Sequence, residues 1–307
     1  MKRMTAVLAL TTTAILGLSA CGGGGDPLAS ESPTASGSGS SGGGGSVVVG
    51  SADFPESELL AEIYAGALKA KGVDATTKPR IGSREIYLKA LEDGSIQAIP
   101  EYTGALGFFY DKNFKETDPE KVYTAVEGLL PADFAMLEKS AAEDNDSIVV
   151  TKETADSKKL KTIADLKASA GEMSLGAPPE FQKRPQGVPG LQSTYGVTFK
   201  TFRPLTGQGL VQALKNGQVD AANIFTTDPS IAENGFVSLE DTEKLFGSQN
   251  IVPLVAKDQS EQMAPALNAV SKALTTEVIA ELLKQTVIDK KDAKDVAAQF
   301  LKDNNLG

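Results

Sequence analysis

The 307-residue chain has no histidine, no tryptophan and a single cysteine, Cys21. Without histidine, neither a Ser-His-Asp triad nor a Cys-His nucleophile can be assembled. Clusters of His and Cys that would hold a transition metal are absent with it, so no metal site is expected. One cysteine has no disulfide partner. Positive charge is also short: 30 Lys and Arg face 40 Asp and Glu, for a net charge of −10. That balance argues against nucleic acid and against a basic patch for anionic lipid. Glycine is plentiful, yet no Gly-rich stretch ends in the Lys-Ser/Thr of a phosphate loop. No cofactor is expected. After the first 20 residues no apolar run reaches the length of about 20 residues that spans a bilayer.

Lys2 and Arg3 precede an apolar run from Ala6 to Leu18, which ends in Leu18-Ser19-Ala20-Cys21. A basic start, a short apolar stretch and small residues before the cut are secretory-signal features. The pattern resembles a bacterial lipoprotein signal peptide over residues 1–20. It implies acylation of Cys21 and anchoring at the outer face of the cell membrane. One acyl chain anchors only marginally, so two or more are expected. The alternative is an ordinary cleaved signal with an unused thiol. Residues 21–46 are mostly Gly and Ser and cannot bury a core, so they read as a flexible tether. Its reach is about 25–30 Å.

From Val47 onward the chain is long enough for two lobes. Val47 to Gly50 is a short β-branched run. Residues 56–71 follow a helical period, with Leu59, Ile63 and Ala67 in one row and Leu60, Tyr64 and Leu68 in the next. Strands are expected near 73–78, 96–99, 147–151, 173–176, 198–202, 219–225 and 251–255. Helices are expected after Ser83, near 119–130, 133–142 and 162–168, and after Thr206. Three more, at about 260–273, 276–288 and 291–302, form a helical tail. Alternating strands and helices imply mainly parallel sheets with covered faces. The expected lobes are 47–146 plus 252–307 and 147–251, so the chain crosses between them twice. Ligands collect at the C-terminal ends of strands in such sheets, here the turns after Gly50, Ile99, Gly176 and Phe225.

Several motifs occur in one order. They are Ser51-Ala52-Asp53-Phe54-Pro55-Glu56, Gly82-Ser83, Pro100-Glu101-Tyr102-Thr103-Gly104, Phe181-Gln182-Lys183-Arg184, Thr226-Thr227-Asp228 and Leu239-Glu240-Asp241. Together they resemble the osmoprotectant-binding proteins, the substrate receptors of ABC importers for glycine betaine, choline and carnitine. The resemblance implies an α/β, type II periplasmic-binding-protein fold, with two lobes joined by two hinge segments around a ligand cleft. It implies closure on a small molecule and delivery to a permease and its ATPase, without chemistry on the ligand. A monomer is expected.

Family receptors cage a trimethylammonium group among aromatic rings by cation–π attraction. Set against that pattern, Tyr102 stands where the family has a Tyr, Phe225 replaces another, Ile148 stands near a third, and Gly247-Ser248-Gln249-Asn250 lacks an aromatic-rich segment. Glycine betaine itself is therefore not the expected ligand. A larger molecule with flat apolar area and hydroxyls suits the remaining residues. The expected ligand-binding set is Asp53, Phe54, Ser57, Arg84, Tyr102, Thr103, Phe181, Phe225, Thr226, Thr227, Gln249 and Asn250. Asp53 has the alternative of capping the first helix. Arg84 has the alternative of a surface ion pair, and Arg184 is expected to brace its own loop. Two rival functions remain open: a surface-anchored enzyme using Glu56 and Glu101 as acid and base, and a binding protein that feeds a sensor.

Overall fold

The computed structural model describes residues 46–307. The expected signal peptide, Cys21 and the Gly/Ser-rich stretch up to residue 45 lie outside the described residues. No described helix is long and apolar enough to cross a membrane.

Lobe I begins with β1 (Val47–Gly50), α1 (Pro55–Ala70), β2 (Ala75–Lys78), α2 (Arg84–Glu92), β3 (Ala98–Tyr102), α3 (Thr103–Tyr110), α4 (Pro119–Glu127) and β4 (Phe134–Met136). Lobe II follows with β5 (Ile148–Val150), α5 (Lys152–Lys158), β6 (Ser174–Ala177), α6 (Val188–Tyr195), β7 (Thr201–Pro204), α7 (Gly207–Lys215), β8 (Ala221–Asn223), α8 (Ser230–Glu233) and β9 (Val237–Leu239). The chain returns to lobe I through β10 (Ile251–Ala256), α9 (Ser260–Ala273), α10 (Thr276–Leu283) and α11 (Ala293–Asp303). Both sheets have five strands, ordered β2-β1-β3-β10-β4 and β7-β6-β8-β5-β9. Each holds three parallel strands and one antiparallel strand next to them, β10 or β5. That antiparallel strand is in both cases the one reached from the other lobe.

The periodic rows of α1 explain its place. Leu59, Ile63, Leu60, Tyr64 and Leu68 are buried in a core shared with α9, α10 and α11. Pro55 opens the helix, where its missing N–H costs nothing. Lobe II has a separate core around Ile163, Leu175, Leu191 and Phe246.

The two crossings run side by side. Ser140 N–H donates to Ile251 O, Ile251 N–H to Ala142 O and Asp144 N–H to Gln249 O. Lobe I clamps this pair through Thr103 N–H to Asn250 O and Gly104 N–H to Ser248 O, 3.1 Å each. Gly104 has to be glycine for that approach, because a Cβ there would sit 2.5 Å from Ser248 O.

Three expected helices differ. Residues 133–142 hold no helix: Phe134 and Met136 alternate inward with a period of two and pair with Ala256 and Leu254 as an edge strand. Residues 163–168 form a 3₁₀ segment closed by a capping box between Thr162 and Asp165. The helix expected over 276–288 widens into a π turn at Lys284–Ile288.

Candidate functional site

A cavity of about 360 Å³ lies between the lobes. Its walls come from the turns after β1, β3, β6 and β8, from the starts of α2 and α7, and from the crossings. These are mostly C-terminal strand ends, where open α/β sheets leave backbone and side chains free. Leu283 and Val287, four residues apart and so on one helical face, line the same space.

One wall is aromatic. Phe54 sits just before α1 in an extended conformation, which lifts its ring out of the helix. Its ring centroid is 6.1 Å from Tyr102 and 5.5 Å from Phe225, tilted by 36° and 37°. Phe54 and Tyr102 belong to lobe I and Phe225 to lobe II, so the row crosses the cleft. Such a face attracts cations through the ring quadrupole.

Carboxylates flank that wall. Glu56, in the first turn of α1, accepts from Tyr102 Oη at 2.6 Å and from Thr227 Oγ1 at 2.6 Å. The second bond joins the lobes. Asp144, on the first crossing, accepts from Thr227 N at 3.2 Å. Asp146 accepts from Asn223 Nδ2 at 2.9 Å. Burial pushes all three carboxyls above their ordinary range, and their hydrogen bonds offset part of that rise. Burial likewise raises the Tyr102 phenol.

The arginines at the cavity are already matched. Arg84 makes a bidentate pair with Glu101, Nε to Oε1 at 2.8 Å and Nη2 to Oε2 at 2.9 Å. Tyr87 Oη adds a bond to Glu101 at 2.8 Å. Burial works against the Arg84 charge, but Glu101 outweighs it and holds the guanidinium above its ordinary pKa. Arg184 reaches from lobe II to Glu85 on α2 at 3.4 Å and to its own loop's Glu180 at 3.9 Å.

Of the residues singled out in the sequence, Asp53, Phe54, Arg84, Tyr102, Phe181, Phe225, Thr227 and Gln249 line the cavity. Four do not. Ser57 is buried and accepts from Ala52 N, which shapes the turn. Thr103 and Asn250 bond to each other and to the crossings. Thr226 is exposed and accepts from Asn145 N. Gln249 faces the cavity, but its amide is committed to Ala105 N and Phe246 O. Asp53 does not cap α1, whose N-cap is Phe54. Arg84 forms no surface pair: its partner Glu101 is fully buried. Ser83 precedes α2, but its hydroxyl bonds Glu85 rather than capping the helix. Ile148 lies in the lobe II core and not at the cavity, so it marks no lost ring of a cage. Glu101 does not line the cavity, and the acid–base pair with Glu56 is not assembled there. Asp144, Asp146 and Asn223 were not singled out in the sequence. The lone signal for the two aspartates was a run of polar residues, Glu143 to Ser147, before a strand, and Asn223 had none beyond its place at a strand end.

Residues 45–303 match the family described as the substrate-binding domain of ABC-type glycine betaine transport systems. The chain belongs to this family. It is 28% identical over 273 residues to the glycine betaine-binding protein YehZ of Escherichia coli, covering 83% of this chain and 90% of that one. It is 23% identical over 262 residues to the ergothioneine transport permease/ergothioneine binding protein EgtU of Helicobacter pylori, covering 83% of this chain and 47% of that one. Among solved structures, a glycine betaine/carnitine/choline ABC transporter superposes with a TM-score of 0.68 at 22% identity, covering 85% of this chain and 99% of that one. The fold is the two-lobed type II fold of periplasmic binding proteins, and the protein is the extracytoplasmic substrate-binding component of an ABC importer of this type.

Proposed function

We propose that the protein is a lipid-anchored receptor that captures an organic cation or betaine larger than glycine betaine and hands it to a permease. The observation that carries this reading is the aromatic row Phe54, Tyr102 and Phe225 along a cavity of about 360 Å³. A cation against such rings gains about 0.5–2 kcal/mol per contact. Glycine betaine, one trimethylammonium and one carboxylate joined by a single methylene, would leave much of the volume to water. Beyond the rings, Arg84 and Asn223 also line the cavity, so a longer ligand would meet polar side chains there. The H. pylori relative is named for ergothioneine, a betaine that carries a flat ring, which fits the same reading. Binding without turnover is favoured because Glu101 is bonded to Arg84 and lies outside the cavity.

The test is calorimetric titration of purified protein with ergothioneine, carnitine, choline and glycine betaine. The larger compounds should bind more tightly than glycine betaine. Glycine betaine as the tightest of the four would sink the size argument. For the anchor, Cys21→Ala should release the protein from membranes or leave it uncleaved. Membrane retention of a correctly processed variant would count against acylation.

A further inference from the structure

Glu56 and Asp144 are 3% and 4% exposed. Among the described residues, no Lys or Arg forms an ion pair with either. Buried charges in proteins are paired or they neutralise. The titratable groups facing the two carboxyls are Tyr64 on α1, Tyr102 at the end of β3, Asp146 on the crossing and Asp228 after β8. None of them is a cation. The two arginines that line the cavity are matched elsewhere, Arg84 by Glu101 and Arg184 by Glu85 and Glu180. The pair therefore lacks a counter-charge, and it opens on the cavity that holds the aromatic row.

Thr227 spans the two carboxyls: its Oγ1 donates to Glu56 at 2.6 Å and its N–H to Asp144 at 3.2 Å, so both sit around one residue. Two carboxylates that share a buried site do not both ionise readily. The donors to the pair are neutral: Tyr102 Oη and Thr227 Oγ1 to Glu56, and Thr227 N and Thr226 Oγ1 to Asp144, the last at 3.5 Å. From this arrangement we infer that Glu56 and Asp144 are the counter-charge for the ligand's cationic head, sharing one proton in the empty cleft and releasing it when the cation binds. The proton passes to solvent, and the cation takes its place as the compensating positive charge. The inference rests on the cation-receptor reading above and adds to it which groups meet the charge and what leaves. It also places the exchange at the Glu56–Thr227 bond that joins the lobes, so the same step that loads the ligand acts on closure.

Choline is the probe, because its charge does not change with pH. Its neutral carbon isostere, in which the quaternary nitrogen is carbon, is the control. Titrations run from about pH 5 to about pH 9 in two buffers of different ionisation heat. If one proton leaves, choline affinity rises about tenfold per pH unit wherever the pair holds its proton. The heats should then differ between buffers by close to one released proton. The isostere should bind weakly with a flat pH profile. Glu56→Gln should abolish both the slope and the release, with an unchanged circular-dichroism spectrum. If that variant does not fold, Asp144→Asn and the wild-type proton count carry the test. Choline binding with a flat profile and no released proton overturns the inference and leaves the receptor reading intact. Absence of binding by choline and by every other organic cation tried, at every pH, overturns both.

Discussion

The two lobes share one strand order and differ in how they hold their polar groups. Lobe I turns its charges on itself. Arg84, Glu101 and Tyr87 form a closed set beneath the cleft, and Glu101 also accepts from Tyr102 N at 2.9 Å. Lobe II has no such buried ion pair among the described residues. Its polar anchor is Asp241, which takes Tyr195 Oη, Leu245 N at 3.0 Å and Phe246 N at 2.9 Å and braces a surface loop. The cores differ in the same way. The lobe I core includes three tail helices that lobe II has no counterpart for. Lobe I is thus the stiff platform that presents Phe54, Glu56 and Tyr102. Lobe II brings Phe225, Thr227 and Arg184 on loops, whose exchange between arrangements costs less.

The largest difference between the lobes should appear when each polar set is cut. Glu101→Gln leaves the buried Arg84 guanidinium without its counter-charge, which costs about 3–5 kcal/mol. Tyr195→Phe removes a donor to Asp241, which keeps two backbone bonds, and the acceptor of Glu243 N, and should cost about 1.5–3 kcal/mol. Urea unfolding of both variants checks the contrast. Equal losses would mean that the Arg84 set does not stiffen lobe I.

The aromatic row sharpens the comparison on the binding side. Phe225 packs into neither core, whereas Phe54 is packed against both hydrophobic clusters of lobe I. Phe225→Ala should weaken the preferred ligand by about 1–3 kcal/mol, the cost of truncating a central aromatic anchor, with little change in stability. Phe54→Ala should weaken both binding and folding. Calorimetry paired with thermal unfolding separates them.

A third contrast is in pH. Burial holds Glu56, Asp144 and Asp146 above the ordinary carboxylate range. An acid whose folded pKa lies above its unfolded value is more stably folded when protonated. Stability from these groups therefore grows as pH falls through their folded pKa values and stops growing below the unfolded ones, near 4. The ligand-free protein should unfold at higher urea near pH 5 than near pH 8, and Glu56→Gln should flatten the difference. A midpoint that drops as the pH is lowered from 8 to 5 would contradict the placement of these carboxyls.

Much of lobe I could be read from the sequence because its signals are local. The rows of α1 and the turns after strands led to Phe54 and Tyr102, and the family resemblance led to Phe225. What was missed depends on register and on long-range contacts. A shift of one position in a strand reverses the face a side chain takes. Ile148 accordingly points into the lobe II core, and in the turn after β8 it is Thr227 that bonds Glu56 while Thr226 stays exposed. The π turn at Lys284–Ile288 breaks the 3.6-residue period on which helix readings rest. Asp144 gains its role from a crossing whose partner strand lies more than a hundred residues away in sequence.

The smallest expected effect lies at the contact between Arg184 and Glu85, the one ion pair between the lobes among the described residues. Arg184 is 23% exposed and Glu85 45%, so solvent and salt screen the pair and it contributes less than about 1 kcal/mol. Burial pushes the Glu85 carboxyl up, but the Ser83 hydroxyl and the Arg184 charge outweigh it and hold it below the usual range. For a depressed acid the sign is opposite to that of Glu56. Its contribution is present above the unfolded pKa and fades as pH falls through the folded one. Arg184→Ala should leave lobe stability unchanged and shift the free protein toward a more open cleft. Small-angle scattering should register this as a slightly larger radius at low salt, and added salt should bring the wild type toward the variant. A radius that responds neither to the substitution nor to salt would show that the Glu56–Thr227 bond and the ring row hold the lobes together without this pair.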